Sequence, residues 1–497
     1  MGKIRSTQLV LGLALAVAAI GCDQPGSGQS ADVAEVTASL TTVPSGVLCV
    51  KLVLSGATSS SLLITVASGA SSASMSLGNV PAGILTVAPS AFNVACSSVT
   101  SSTVNTWTGP AVTVQVVPGT PLVVPLTLEP YSATAAVNFV PFVKAVGASN
   151  SASYALLSDG TVRAWGWNGW GELGDGTTVA RWTPVAVSGL SGVAALAAGG
   201  KGGHSCALKT NGSVSCWGMN TFGQLGNGGT TDSSVPVSVS GGYLFRQVAT
   251  GYFYTCGVTT SGAVSCWGSN SSGQFGNGTT NSSLTPTTPS NVLIGAAQEV
   301  LTADVFTCLR GGMEQVACAG NNNNGELGTG NYTASLYWIA NSLQTKATLS
   351  AGLAVGSYHS CSIVLGDGSV RCTGNNDFGQ LGDGTYIIRP SAVPVIGLTG
   401  VTALTATLYG TCALKSDGTV WCWGDNVAGQ LGDRTLTQRP TAAPVYGLTG
   451  VVSIAAGDDH VCAAKFDGTA WCWGYNSSGQ LGDGTGTSHS YPVKVVF

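Results

Sequence analysis

The sequence predicts an all-β protein: a seven-bladed β-propeller preceded by a small β-sandwich domain. Three observations predict it. The stretch Trp471-Cys472-Trp473-Gly474-Tyr475-Asn476-Ser477-Ser478-Gly479-Gln480-Leu481-Gly482-Asp483-Gly484-Thr485 recurs in variant form from about residue 143 onward. Its Trp-Gly step stands at Trp165, Trp217, Trp267, Trp423 and Trp473, and as Ala319-Gly320 and Thr373-Gly374 in two weaker copies. The steps between copies are 52, 50, 52, 54, 50 and 50 residues, which makes seven copies. Second, charged residues are only 8% and Gly is 71 of 497, a composition for short strands and tight turns with little material for surface helices. Third, twelve of the 15 cysteines fall in six regular pairs inside the repeats: Cys206/Cys216, Cys256/Cys266, Cys308/Cys318, Cys361/Cys372, Cys412/Cys422 and Cys462/Cys472. Such pairs read as disulfides formed in an oxidising compartment, and zinc is disfavoured because no Cys-x2-Cys spacing occurs.

Taken in order, residues 1–22 read as an export signal. Lys3 and Arg5 precede a 13-residue apolar run, Leu9 to Gly21, too short to span a bilayer. The run ends Ala19-Ile20-Gly21-Cys22, which resembles the lipobox of bacterial lipoproteins, with Cys22 as the acylated residue. Ala19 departs from the commoner Leu, so an ordinary secretory signal is the alternative. Residues 23–36, polar and rich in Gly and Ser, read as a tether.

Residues 37–140 alternate Val, Thr, Ser and Ala in short runs, Val47 to Leu54, Leu62 to Val66, Ile84 to Val87 and Val112 to Val116. Turns such as Val80-Pro81-Ala82-Gly83 separate them, the pattern of a β-sandwich. Cys49 and Cys96, the two cysteines of this segment, are expected to bridge.

Residues 141–497 are the propeller. One unit reads from 393 to 440: a strand Val393–Ile396, the turn Gly397-Leu398-Thr399-Gly400, a strand Val401–Thr405, a strand Cys412–Lys415 and a strand Thr419–Trp423. Ser416-Asp417-Gly418 suits a three-residue hairpin loop, which sets Cys412 opposite Cys422 and Ala413 opposite Trp421. Each bridge then closes a short loop and adds roughly 2–3 kcal/mol. Four antiparallel strands repeated seven times close on themselves, whereas a solenoid needs capping repeats and a membrane barrel repeats by the strand.

The motif Asp-Gly-Thr-Val-x-x-Trp-Gly-x-Asn-x-x-Gly-Gln-Leu-Gly, followed by Ala-Ala-Gly-x-x-His-x-Cys-Ala, resembles the regulator of chromosome condensation repeat over about residues 140–497. The resemblance implies a seven-bladed propeller. It does not carry over the nucleotide-exchange activity of the eukaryotic founder, which works in cytosol or nucleus, whereas this chain has an export signal and cysteine pairs. Among exported members of the fold, a bacterial propeller that inhibits β-lactamases is a pure protein-binding module.

Chemistry is sparse. The formal charge is −4, and loss of Lys3 and Arg5 with a signal leaves 16 basic against 22 acidic residues, or −6. Basic residues are scattered singly, so no nucleic-acid partner is expected. His204, His359 and His460 lie in different repeats and are read as structural rather than metal ligands. The Gly-Asp-Gly-Thr segments at 174–177, 382–385 and 482–485 lack the alternating ligands of a calcium loop and are read as turns. No nucleophile motif or paired-carboxylate arrangement emerges, and no cofactor or metal is expected. The resulting expectation is a non-enzymatic binding module of the bacterial cell envelope, periplasmic or cell-surface, lipid-anchored at Cys22, with a protein or envelope component as partner. The alternatives are an envelope enzyme acting on polysaccharide or peptide in the propeller funnel, and a purely structural envelope protein.

Strand direction places the loop before each Cys-Ala-Leu strand and the loop carrying Asn-x-x-Gly-Gln-Leu-Gly on one face, with the Asp-Gly turns on the other. On the first face Tyr475, Trp167, Trp170, Met219, Phe222, Tyr252, Phe253 and Tyr254 fall in four consecutive repeats and are expected to form one partner-binding arc. Elsewhere the corresponding positions are small or polar, apart from Phe378. The fourth repeat is irregular: it lacks Trp, His and the Asp-Gly turn, and carries Asn321 to Asn324 and an unusual stretch, Tyr332 to Ala340.

Overall fold

The computed structural model divides the chain into two units, Met1–Phe139 and Val140–Phe497. It describes Ser6–Thr7, most of 33–130, and 141–497 apart from 199–201, 290–294, 312–314 and 344–349. The other residues of 1–32, on which the expected export signal, Cys22 and the expected tether fall, lie outside the described residues. No helix among the described residues is long and apolar enough to cross a membrane.

The first unit holds two sheets. One runs Ser6–Thr7, Ser60–Thr65, Cys49–Ser55, Gly83–Phe92, Trp107–Thr108 and Glu129–Pro130, with Val112–Val116 also paired to Gly83–Phe92. The other is Ala73–Pro81, Val33–Leu40 and Leu122–Leu126. Alternate residues of both, among them Val36, Ala38, Leu52 and Val87, form a single apolar core, and Cys49 and Cys96 are joined by a disulfide. Val33–Val36, placed by the sequence in the tether, instead open an eight-residue strand. The reason is pairing: the strand bonds antiparallel to Ala73–Pro81 and parallel to Leu122–Leu126, partners far away in sequence.

The second unit contains seven successive four-stranded sheets, from Val143–Ala148 to His489–Lys494, each in simple up-and-down order. The first strand of every sheet lines one central channel, with Gly147, Leu196, Ala249, Leu301, Ala354, Thr405 and Ala455 among its wall residues. The second and third strands carry the core; Tyr254–Thr259 is buried along its whole length, while the fourth strand Arg181–Ala186 has no buried residue. Small and β-branched residues in the two middle strands let adjacent sheets approach. The core is therefore built between sheets: Cys206, Val214 and Leu225 of the second pack with Phe245 and Trp267 of the third. The series closes on itself, since Trp165 of the first sheet packs with Cys472 and Leu481 of the seventh. Every first-to-second strand pairing carries a register shift, as between Val401 and Ala403, a device that increases twist.

The hairpin register has Cys412 opposite Cys422 and Ala413 opposite Trp421. Disulfides join the six pairs Cys206–Cys216, Cys256–Cys266, Cys308–Cys318, Cys361–Cys372, Cys412–Cys422 and Cys462–Cys472. The grouping of strands into units needs correction. The strand holding Val393 and Pro394 is the outermost of the fifth sheet, bonded to Val370–Gly374, and does not open the sixth. The sixth sheet ends instead with Arg439–Pro444. Gly397–Gly400 is thus a crossing between sheets, held by Gly400 N donating to Asp367 O at 2.9 Å.

The recurring tryptophan interlocks the sheets. Trp473 is fully buried, and its Nε1 donates to Gln430 O of the preceding sheet at 2.9 Å. Trp165, Trp217, Trp267 and Trp423 make the same bond to residues 480, 172, 224 and 380. The carbonyl is presented by the loop glycine: Gly432 has φ +67°, and a Cβ there would lie 2.8 Å from Trp473 Nε1. In the fourth sheet, where Ala319 replaces tryptophan, Trp338 of the outer strand fills the space against Gly276.

Candidate partner-binding face

Each repeat loop is shaped by its buried asparagine. Asn426 Oδ1 accepts from Leu431 N at 3.0 Å, and its Nδ2 donates to Thr435 O and Thr437 O at 3.1 Å. A second brace is the Gln of Gly-Gln-Leu-Gly, whose Oε1 accepts the amide two residues earlier, as Gln224 does from Phe222 N at 2.9 Å. The two braces turn the intervening side chains outward. One shared cavity of about 390 Å³ is bounded by these loops and by the loops entering the second strands, such as Ser149–Ser151 and Tyr252–Phe253.

Six of the eight residues assigned to the arc, Trp167, Trp170, Met219, Tyr252, Phe253 and Tyr475, line that cavity. Trp167, Trp170, Phe222, Tyr252 and Tyr475 are between 39% and 46% exposed. Phe222 joins the cluster through Phe253, with ring centroids 4.8 Å apart, and Phe253 meets Tyr252 at 4.0 Å. Tyr254 does not belong to the arc. It is 0% exposed, because it is the first residue of a second strand and its hydroxyl donates to Phe306 O at 2.6 Å, with Thr307 Oγ1 at 2.9 Å. It stands where other sheets carry histidine: His204, His359 and His460 Nε2 meet Thr255, Thr411 and Ser153 hydroxyls of the next sheet at 2.8–2.9 Å. Burial pushes His204 and His460 down to about 3, so both are neutral. Among the described residues no group of three or more His, Cys, Asp or Glu gathers to hold a metal. Of the Gly-Asp-Gly-Thr segments, Asp383 accepts from the Thr385 amide and hydroxyl at 3.0 and 2.7 Å and from Arg389 Nε at 2.9 Å.

The profile of the RCC1-like domain matches residues 202–497, and that of the regulator of chromosome condensation (RCC1) repeat matches residues 159–208. The chain belongs to the RCC1-like domain family. Over 111 residues it is 34% identical to the ultraviolet-B receptor UVR8 of Arabidopsis thaliana, covering 22% of this chain and 25% of that protein. Over 99 residues it is 32% identical to the E3 ubiquitin-protein ligase HERC2 of Homo sapiens, covering 20% and 2%. The matched stretch thus spans a quarter or less of these relatives. Among solved structures, human WBSCR16 superposes with TM-score 0.61 at 21% identity, over 68% of this chain and 95% of that one. Prp20p of Saccharomyces cerevisiae gives TM-score 0.58 at 18% identity, over 72% and 88%. These likenesses show the fold, an RCC1-like β-propeller.

In this RCC1-like domain the face holds more than the sequence pattern picked out. Tyr358, Phe378 and Tyr409 form a second aromatic group, with centroids 6.0 Å apart for the tyrosines and 4.7 Å for Phe378 and Tyr409. Tyr358 and Tyr409 sit one residue before their second strands, as Phe253 does, and that common position is the signal that could have found them. Tyr475 lies between the two groups, since it also lines the groove of Phe378 and Tyr409. Glu172 was also passed over. It occupies the brace position that is glutamine in five other repeats, is 2% exposed, and lines the aromatic cavity.

Proposed function

We propose that this chain is an exported, membrane-anchored, non-enzymatic binding module of the bacterial cell envelope. In this reading Cys22 carries lipid, residues 23–32 tether, the two N-terminal sheets form a β-sandwich, and the seven four-stranded sheets are the blades of one seven-bladed propeller. The face bearing Trp167, Trp170, Phe222, Tyr252 and Tyr475 binds a protein or cell-envelope partner. The observation that carries this reading is the gathering of large exposed aromatic side chains from three repeats around one cavity, with Phe222 of a fourth joined to them through Phe253. Such rings bury much area at little entropic cost and anchor interfaces. The seven disulfides favour an oxidising location. Binding is in keeping with the family, since the description of Prp20p speaks of its binding to Gsp1p and histones.

The test begins with capture of a partner from envelope extracts by intact, oxidised protein. Trp170→Ala combined with Phe222→Ala should weaken binding by about 2–4 kcal/mol without unfolding the propeller. Unchanged affinity, with substitutions in the Asp-Gly turns abolishing it, places the site on the opposite face and overturns the reading. Detergent partitioning of Cys22→Ala tests the anchor: the variant should move to the aqueous phase.

A further inference from the structure

Glu172, like Glu326 of the fourth repeat, differs from the five brace glutamines in the sense of its outer atom. In the fifth and sixth sheets the brace glutamine uses its second side-chain atom as a donor: Gln380 Nε2 to Asn375 Oδ1 at 2.6 Å, and Gln430 Nε2 to Asp425 Oδ2 at 2.8 Å. Glu172 keeps the brace, its Oε2 accepting from Trp170 N at 2.8 Å. Its Oε1 is an acceptor where the five glutamines have a donor, and besides its own amide and that of Trp170 no described residue donates to the carboxyl group. At the position of Asn375 and Asp425, which accept from the glutamines, the first repeat has Trp167, which walls the cavity. Glu172 thus lines a cavity built from the rings of Trp167, Trp170, Tyr252, Phe253 and Tyr475. Burial, with Asp232 adding, pushes Glu172 up to about 7. Among the described residues, the loops entering the second strands and the Asn-x-x-Gly loops together hold seven carboxylates and no basic residue.

Resting on the proposed binding face, we infer that this cavity receives a basic side chain of the partner, its protonated nitrogen donating to Glu172 Oε1 between the aromatic rings. An N–H-bearing cation satisfies the open acceptor, and ring faces attract it electrostatically. The aliphatic stem of a lysine or arginine covers the indoles.

The probes are N-acetyl-lysine methylamide and N-acetyl-arginine methylamide, with norleucine and citrulline analogues as neutral counterparts. Binding to the intact protein is read from the indole N–H signals of Trp167 and Trp170 and from tryptophan fluorescence. Saturable binding of a basic probe, at least tenfold tighter than its neutral counterpart, is expected. Glu172→Gln, which installs the residue of five other repeats, should remove that preference while the thermal transition persists. Equal binding of charged and neutral probes, or an unaltered preference in Glu172→Gln, overturns the inference. If the probes fail but Trp170→Ala with Phe222→Ala still releases the partner, the face stands and only the cation site falls. Probe binding with full partner binding in that double variant separates the two ideas the other way.

Discussion

Trp338 packs against Gly276 just as Trp267 packs against Gly226, although the two tryptophans reach their slots from different strands. Trp267 is on the third strand of its sheet, Trp338 on the fourth, and Ala319 stands at the third-strand position of the fourth sheet. The irregular stretch of the fourth repeat is therefore a compensated core. Volume has been kept while the hydrogen bond has not, since Trp338 Nε1 has no partner.

Two outcomes follow for this slot. Trp338→Ala should cost about 3–5 kcal/mol, read by chemical denaturation, whereas adding Ala319→Trp to it should recover most of the loss. Trp338→Phe should cost about 1 kcal/mol less than Trp473→Phe, because only Trp473 forfeits a bond to a loop carbonyl.

The buried histidines make the fold acid-sensitive. His204 and His460, held neutral down to about pH 3, cannot take the proton that the unfolded chain accepts near pH 6.5. Stability is complete above that value and falls as pH drops from 6.5 towards 3. At pH 5 each histidine should cost about 2 kcal/mol. Thermal melts between pH 5 and 7 should flatten when both are changed to Gln, which can still donate to the neighbouring hydroxyl.

Glu172 works in the opposite direction. Burial raises its carboxyl to about 7, so the native state holds a proton that the unfolded chain releases above the usual carboxylate range. Stability from this group is present below pH 4.5 and is lost as pH rises through 7. Glu172→Gln should therefore raise stability by about 1–3 kcal/mol at pH 8 and leave it nearly unchanged at pH 4.

The disulfides are open to a direct count. Alkylation of the unfolded, unreduced protein followed by mass spectrometry should label none of the fourteen cysteines in the seven bridges. Changing Cys462 and Cys472 together to Ala should lower stability by about 2–3 kcal/mol. The effect should appear in the melting temperature, because those residues belong to the core where the seventh sheet meets the first.

The recurrence of Trp-Gly-x-Asn-x-x-Gly at nearly constant steps determined, without coordinates, that the second unit is a succession of similar four-stranded sheets. The Asp-Gly hairpin loops likewise determined that Cys412 faces Cys422. Both depend on hydrogen bonds and turns within a few residues, which local residue types dictate. What lies between sheets was decided by the tertiary structure. Whether Tyr254 points outward or inward depended on Phe306 and Thr307 of the next sheet, and whether Val393 belonged to one sheet or its neighbour depended on Val370–Gly374. Trp338 replaces a third-strand tryptophan because two strands of one sheet border the same slot, a fact about space that residue spacing does not encode. Glu172 differs from glutamine by one atom in the sequence. Only the rings that three repeats bring around it set that side chain in an aromatic cavity.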